Sequence, residues 1–337
     1  MKRTILLFVT AIVAIGVLLF VFIHNKKVDI VSPLSRLTEK PLEKYSFSRL
    51  KETKFEVSKI TFDKVLKEGD GYTSYLFYFT DQGKRVSGMA NVPKAQGVYP
   101  VIVMFRGFIE KDKYSIGEGT RHSGEVFAQN GFITLAPDFL GYGSSDNPSN
   151  DSIEERFQTY TTGLTLLNSL SSINNSLSKS NLNVQANLNK VGIWGHSNGG
   201  HIALSVLEIS GKPYPTVLWN PVSKPFPYSI LYFTDDFDDH GKALIRVVAD
   251  FERYYDAEKY SLTNYFRWIK GPIQLSQAVE DEAVPKRWSD TLNDELKKLK
   301  KDIEYNLYPG EDHNFSKGSW STVVGKSIDF YKRMFNP

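Results

Sequence analysis

Val191-Gly192-Ile193-Trp194-Gly195-His196-Ser197-Asn198-Gly199-Gly200-His201-Ile202-Ala203-Leu204-Ser205-Val206-Leu207 is the stretch that decides the reading of this chain. Val191 to Trp194 is an apolar run as long as a buried strand, and Gly200 to Leu207 reads as the opening of a helix. A serine between them, flanked by Gly195 and Gly199, predicts a sharp strand-to-helix turn that exposes its hydroxyl. The glycines follow from that geometry, because side chains at the flanking positions would clash with the neighbouring strand and helix. The pentapeptide alone is weak, since G-x-S-x-G arises by chance in roughly one chain in ten of this length. Its weight comes from the strand before it, the helix after it and two signals downstream.

Working outward, the sequence alternates strand and helix patterns. Tyr72 to Phe79 is aromatic and β-branched, Asp81-Gln82-Gly83-Lys84 is a turn, and Arg85 to Val92 alternates again. This predicts an antiparallel N-terminal β-hairpin at a sheet edge. Tyr99 to Phe105 is almost wholly apolar, as a strand covered on both faces would be, and Phe132 to Ala136 is a second such run. Residues 152–173 carry helical spacing, and a Ser/Asn-rich loop is expected from about Ser171 to Asn189. Further strands are expected at Thr216 to Asn220, Pro272 to Gln277 and Ile303 to Tyr308. The pattern predicts an α/β protein with a mostly parallel central sheet and helices on both faces. No internal repeat is present. Residues 222–270 are longer than a simple crossover needs, which predicts a cap or lid over the site. The acidic stretch from Thr234 to His240 matches no calcium-loop spacing and reads as a solvated loop.

The 337 residues carry a net charge of +3, with 41% hydrophobic and 13% aromatic residues, which is globular and not disordered. There is no basic-aromatic stripe, so nucleic acid is not an expected partner; Lys297 to Lys301 reads as the solvated end of a helix. The chain has no cysteine, which excludes disulfides, thiolate metal sites, a cysteine nucleophile and a lipidated N-terminal cysteine. Lys2-Arg3 precede an apolar run from Ile5 to Ile23, broken by Thr10 and Gly16. A cleaved signal peptide is the rival reading, but the run ends in bulky Phe20-Val21-Phe22-Ile23. Residues 4–23 are therefore expected to form a single transmembrane anchor, with residues 24–54 as a stalk and residues 55–337 as the catalytic domain. The expected location is the cell membrane, with the domain on the extracytoplasmic side, although basic residues on both flanks orient the anchor only weakly.

In the α/β-hydrolase fold the acid and the base follow the serine in that order, each just beyond the C-terminal end of a strand. Glu280-Asp281-Glu282 lies beyond the strand at Ile273, and His313 lies beyond the strand ending at Tyr308. His313 is the only histidine after His240. Among the three adjacent acids Asp281 is chosen, because it lies four residues before Pro285, which suits the first position of a following helix. The predicted catalytic residues are Ser197 as nucleophile, His313 as base and Asp281 as the group orienting the imidazole. The predicted oxyanion donors are the backbone N–H groups of Asn198 and of Phe108, in the loop Phe105-Arg106-Gly107-Phe108. Arg106 reads equally as a substrate ligand or as a brace for that loop. His196 and His201 read as structural. No dinucleotide or phosphate loop is present and the triad needs no metal, so no cofactor is expected.

These motifs resemble the prolyl oligopeptidase family of serine hydrolases, in its catalytic domain. The matching residues are Gly192 to Gly200, Asp281 with Val284-Pro285, Tyr308 to Phe315, and Ala136-Pro137-Asp138-Phe139-Leu140-Gly141-Tyr142-Gly143-Ser144-Ser145. The resemblance covers roughly residues 60–335 and implies the fold and the triad, not a substrate. Two positions depart from the family pattern. Ser276-Gln277-Ala278-Val279-Glu280-Asp281 lacks the His-Gly pair that often precedes the acid, and Phe108 stands where some members place an oxyanion-hole tyrosine. The β-propeller that restricts substrates by size in the oligopeptidases has no counterpart in these residues. The resemblance implies a serine peptidase acting on short peptides. A carboxylic-ester hydrolase with the same triad is the alternative, and a catalytically inactive binding protein is the third reading.

Overall fold

The computed structural model describes residues 40–336, apart from residues 181 and 236. The expected membrane helix over residues 4–23 lies outside them. Among the described residues no helix is long and apolar enough to cross a membrane.

Residues from Leu42 onward form one unit around a nine-stranded sheet. Its strands are β1 (Thr61–Glu68), β2 (Tyr72–Asp81), β3 (Lys84–Pro93), β4 (Gly97–Phe105), β5 (Ile133–Pro137), β6 (Val184–His196), β7 (Thr216–Trp219), β8 (Ile273–Ala278) and β9 (Ile303–Tyr308). They lie in the order β1-β2-β3-β5-β4-β6-β7-β8-β9. The pairs among β1, β2, β3 and β5 are antiparallel, and every pair from β5–β4 to β8–β9 is parallel. This is the α/β-hydrolase arrangement. The apolar run in β4 explains its central place: Val101 to Phe105 are fully buried between the two helical layers. The β2–β3 hairpin turns through Gln82 and Gly83, both at positive φ. It is one strand in from the edge, because β1 pairs along its outer side.

The helices are α1 (Phe47–Glu52), α2 (Arg121–Gln129), α3 (Ser152–Ser169), α4 (Ile173–Lys179), α5 (Asn198–Ser210), α6 (Tyr228–Leu231), α7 (Lys242–Glu252), α8 (Lys286–Lys298) and α9 (Trp320–Phe335). Asp151 caps α3, its carboxylate accepting from the N–H groups of Ile153 and Glu154. Gly211, at φ 57°, closes α5 with its N–H on the carbonyl of Leu207. Much of the Ser/Asn-rich loop expected after residue 171 is ordered into α4, whose Ile173 and Leu177 are buried, and into the start of β6.

Two boundaries differ from the sequence reading. The linker expected over residues 24–54 ends earlier, since Leu42, Tyr45, Phe47 and Leu50 belong to the buried core. Phe47 stacks on Tyr265 with ring centroids 4.9 Å apart, and Tyr45 Oη donates to Glu154 at 2.9 Å. These apolar residues are spaced among charges, so the segment looked solvated although one side of it is anchored. The lid expected over residues 222–270 is instead a flank. Its Phe226, Phe251 and Tyr260 pack on Phe157 of α3, with centroids 5.4, 6.1 and 5.0 Å away. Within the acidic stretch, Asp239 accepts from the N–H groups of Gly241 and Ala243 at the start of α7.

Candidate active site

Ser197 sits between β6 and α5 at φ 57° and ψ −123°, a backbone region that L-residues rarely occupy. Local hydrogen bonds hold it there. The Ser197 N–H donates to Trp219 O at 3.0 Å, and Ser197 O accepts from Gly200 and Val222, each at 3.0 Å. The tight turn brings α5 against β4, so a Cβ on Gly199 would lie 1.9 Å from Phe105 O. The loop leaving β4 crosses the serine closely, and a Cβ on Gly107 would lie 3.1 Å from Ser197 Cβ.

Strands β8 and β9 are parallel neighbours, so their C-terminal loops emerge side by side. His313 Nδ1–H donates to Asp281 Oδ2 at 2.8 Å, with the Asp281 side chain fully buried and that of His313 12% exposed. Asp281 Oδ1 accepts from the N–H groups of Ala283 at 2.9 Å and Val284 at 2.7 Å. The flanking acids do different work. Glu280 accepts from Gly310 N–H at 2.5 Å and Glu282 from His313 N–H at 3.3 Å, so the triplet grips the histidine loop from three sides. Gln277, near the missing His-Gly pair, donates to Ala278 O at 2.8 Å and accepts from Ser289 Oγ at 2.6 Å.

Asn220 was not singled out from sequence. At φ 43°, just beyond β7, its Oδ1 accepts from Ala278 N–H at 2.8 Å and its Nδ2 donates to His313 O at 2.7 Å. It thereby joins the loop carrying the acid to the loop carrying the histidine. His196 Nε2 donates to the same His313 carbonyl at 3.0 Å, and burial holds its pKa down to about 4, with the neighbouring His313 adding to the shift. His201 lies deeper, between Tyr160 Oη at 3.0 Å and Val222 O at 3.1 Å. The hydrogen bonds of His313 run to Asp281, Glu282, Asn220 and His196, and among the described residues none joins its ring to Ser197 Oγ.

Asn198 and Phe108 both line a cavity of about 200 Å³ beside the serine turn. Phe108 is 72% exposed. Arg106 is buried beneath the loop, donating to Gly107 O at 2.9 Å and Asp138 O at 3.1 Å, with its guanidinium 4.0 Å from the centre of the Tyr142 ring. It braces the loop, which favours one of its two sequence readings. In a trans peptide the C=O and the next N–H point opposite ways, so holding Gly107 O turns the Phe108 N–H away from Arg106.

A profile of the prolyl oligopeptidase family matches residues 119–337, which carry Ser197, Asp281 and His313. The chain belongs to the prolyl oligopeptidase family. It is 23% identical over 246 residues to the uncharacterized peptidase YtmA of Bacillus subtilis (strain 168), covering 72% of this chain and 86% of that protein. Among solved structures it resembles acetyl xylan esterase 1 from Thermoanaerobacterium sp. JW/SL YS485, with a TM-score of 0.56, 16% identity, and coverage of 87% of this chain and 94% of that one. It also resembles the acylaminoacyl peptidase of Pyrococcus horikoshii, with a TM-score of 0.56, 19% identity, and coverage of 79% and 42%. At these identities the structural likeness is one of fold. As a member of the prolyl oligopeptidase family the chain is a serine hydrolase, and its structural neighbours include both peptidases and esterases.

Proposed function

We propose that this serine hydrolase cleaves short peptides through an acyl-enzyme formed on Ser197. The observation that carries the reading is the His313–Asp281 pair at 2.8 Å, placed by adjacent strands with Ser197 on its strained turn. With Nδ1–H committed to Asp281, Nε2 of His313 is the nitrogen with a free lone pair. His313 Nε2 takes the Ser197 proton as Oγ bonds to the acyl carbon, and Asp281 stabilises the imidazolium. The contact between Ser197 Oγ and Nε2 closes with substrate in place, as such contacts tighten in the reactive complex. The N–H groups of Asn198 and Phe108 receive the oxyanion. His313 then returns the proton to the leaving nitrogen as the C–N bond breaks, and water repeats the sequence to release the acid.

Ester hydrolysis is the second reading. The cavity of about 200 Å³ is smaller than the roughly 300–1,000 Å³ of most ligand pockets and suits a short acyl group. Labelling with a fluorophosphonate probe tests the common chemistry: the folded protein should label and Ser197→Ala should not. Equal labelling of the variant, or none of the native protein, rejects the serine mechanism. A panel of aminoacyl-naphthylamides against p-nitrophenyl esters divides the two substrates, and ester turnover with no amide turnover rejects the peptidase reading. We further propose that residues 4–23 anchor the enzyme with its domain outside the membrane. Carbonate extraction that leaves it in the pellet, with the domain open to external protease on intact cells, is the expected result; release into the supernatant overturns it.

A further inference from the structure

The cavity beside Asn198 and Phe108 has a definite place in the reaction if those residues hold the oxyanion, and that placement rests on the proposed acyl-enzyme. His313 protonates the leaving group, which must therefore lie on the His313 side. Neither Asp281 nor His313 lines the cavity. Bounded by Asn198 and Phe108 and by neither the acid nor the base, it is placed for the acyl part of the substrate.

Its walls combine apolar Phe139, Leu140 and Ile202 with three charged residues, Arg106, Glu155 and Arg156. Two of those charges are already engaged. Arg106 is spent on Gly107 O and Asp138 O, and Glu155 accepts from Lys111 Nζ at 2.7 Å. Arg156, on α3, is different. Its Nε, like that of Arg106, is buried without a hydrogen-bond partner, but among the described residues its guanidinium holds no carbonyl and forms no ion pair, with only the Tyr160 hydroxyl beside it. A guanidinium partly withdrawn from water with an idle donor is a poor structural element, because desolvation is offset only when its donors are used. It is a suitable receptor for an anion arriving from the cavity, since its fork matches a carboxylate.

We propose that Arg156 is a specificity-determining residue that receives a carboxylate at the far end of the acyl group. The substrate class is then esters or amides whose short acyl part is itself anionic. A dicarboxylic half-acyl chain and an acidic residue on the carbonyl side of the scissile bond share this chemistry. Glu155 is the one carboxylate lining the cavity, and Lys111 neutralises it.

The test compares kcat/KM for p-nitrophenyl hemiglutarate with that for p-nitrophenyl pentanoate, which has the same chain length and no charge. Glutamyl-naphthylamide against glutaminyl-naphthylamide forms the peptide arm and distinguishes the two substrate sources. In at least one arm the native enzyme should favour the carboxylate by about tenfold or more at low salt, the size of a charge-assisted contact. Arg156→Met should bring that ratio close to one, and Arg156→Lys should retain part of it. A merely structural role for Arg156 lowers both rates together and leaves the ratio unmoved, which overturns the proposal. So does a native enzyme that labels at Ser197 and shows no carboxylate preference in either arm. Failure to label at Ser197 removes the acyl-enzyme itself and this inference with it. Fluorophosphonate labelling of the variants reports that they fold.

Discussion

Asp281 after β8 and Glu208 within α5 are both carboxylates with fully buried side chains, and the molecule treats them in opposite ways. Asp281 receives Ala283 N–H, Val284 N–H and the His313 ring, with Gln277 Nε2 more distant at 3.4 Å. Neither oxygen of Glu208 has a hydrogen-bond partner. Burial pushes the Glu208 carboxyl well above the usual carboxylate range, against a smaller opposing pull from Lys51, which favours the protonated acid. An ionised carboxylate is acceptor-only, and the donors around Asp281 suit that form. The fold thus supplies donors at one buried acid and withholds them at the other.

The strongest way to break this contrast is Asp281→Asn. An amide keeps the shape but presents the wrong partner to Nδ1–H, so kcat should fall about 10⁴-fold, measured on the fastest substrate found. Glu280→Gln and Glu282→Gln remove only charge from groups that accept backbone N–H, and each should cost less than about tenfold. A Glu282→Gln loss equal to that of Asp281→Asn would reassign the acid.

How far the sequence led follows the same division. Ser197 and His313 were legible because glycines and chain order constrain them covalently and locally. Asp281 was singled out by its offset to Pro285, which stands at the N-cap of α8 and not at its first position, and the structure shows why Ala278 suffices where a glycine was expected. The turn is held by the adjacent Gln277 and by Asn220 Oδ1 on the Ala278 N–H, a side-chain partner distant in sequence. Such long-range pairing leaves no local period. The same cause hid the anchoring of Tyr45 and Phe47, whose partners Glu154 and Tyr265 lie more than a hundred residues away. It also made residues 222–270 look like a lid, because an aromatic-rich insertion reads alike whether it covers a site or packs on a helix.

Asn220 sharpens the comparison at the next scale. Asn220→Ala removes both the Ala278 and the His313 tether, leaving the acid and histidine loops joined by fewer bonds. The expected result is a loss of up to about 100-fold in kcat, with KM changed far less, since misplacement by about an ångström acts on the reacting geometry. An unchanged kcat would mean that Glu280 and Glu282 suffice to align the loops.

Glu208→Gln tests the neglected acid through stability. A raised folded-state pKa means that the protonated acid favours folding fully below the unfolded pKa of about 4.3, and that this contribution is lost as pH rises toward the folded pKa. The variant cannot ionise, so its advantage over the native protein should grow with pH above about 4.3. By neutral pH the difference should be resolvable in denaturant titration. A constant difference from pH 4 to 8 would show that Glu208 does not titrate differently on folding.

The histidines act with the opposite sign. His196 is held down to about 4 by burial, and His201 is lowered well below its ordinary value for the same reason. A free histidine titrates near 6.5, so the unfolded chain binds protons that the folded chain refuses. Stability contributed by neutral His196 is complete above about pH 6.5 and is lost as pH falls toward 4. The slope for one such group is at most about 1.4 kcal/mol per pH unit. His196→Asn can still donate to the His313 carbonyl, so it should flatten the acid limb in this window and leave the share of His201 in place. If the limb keeps its full slope, His196 binds its proton as readily in the folded protein as in the unfolded chain, and burial does not hold its pKa down.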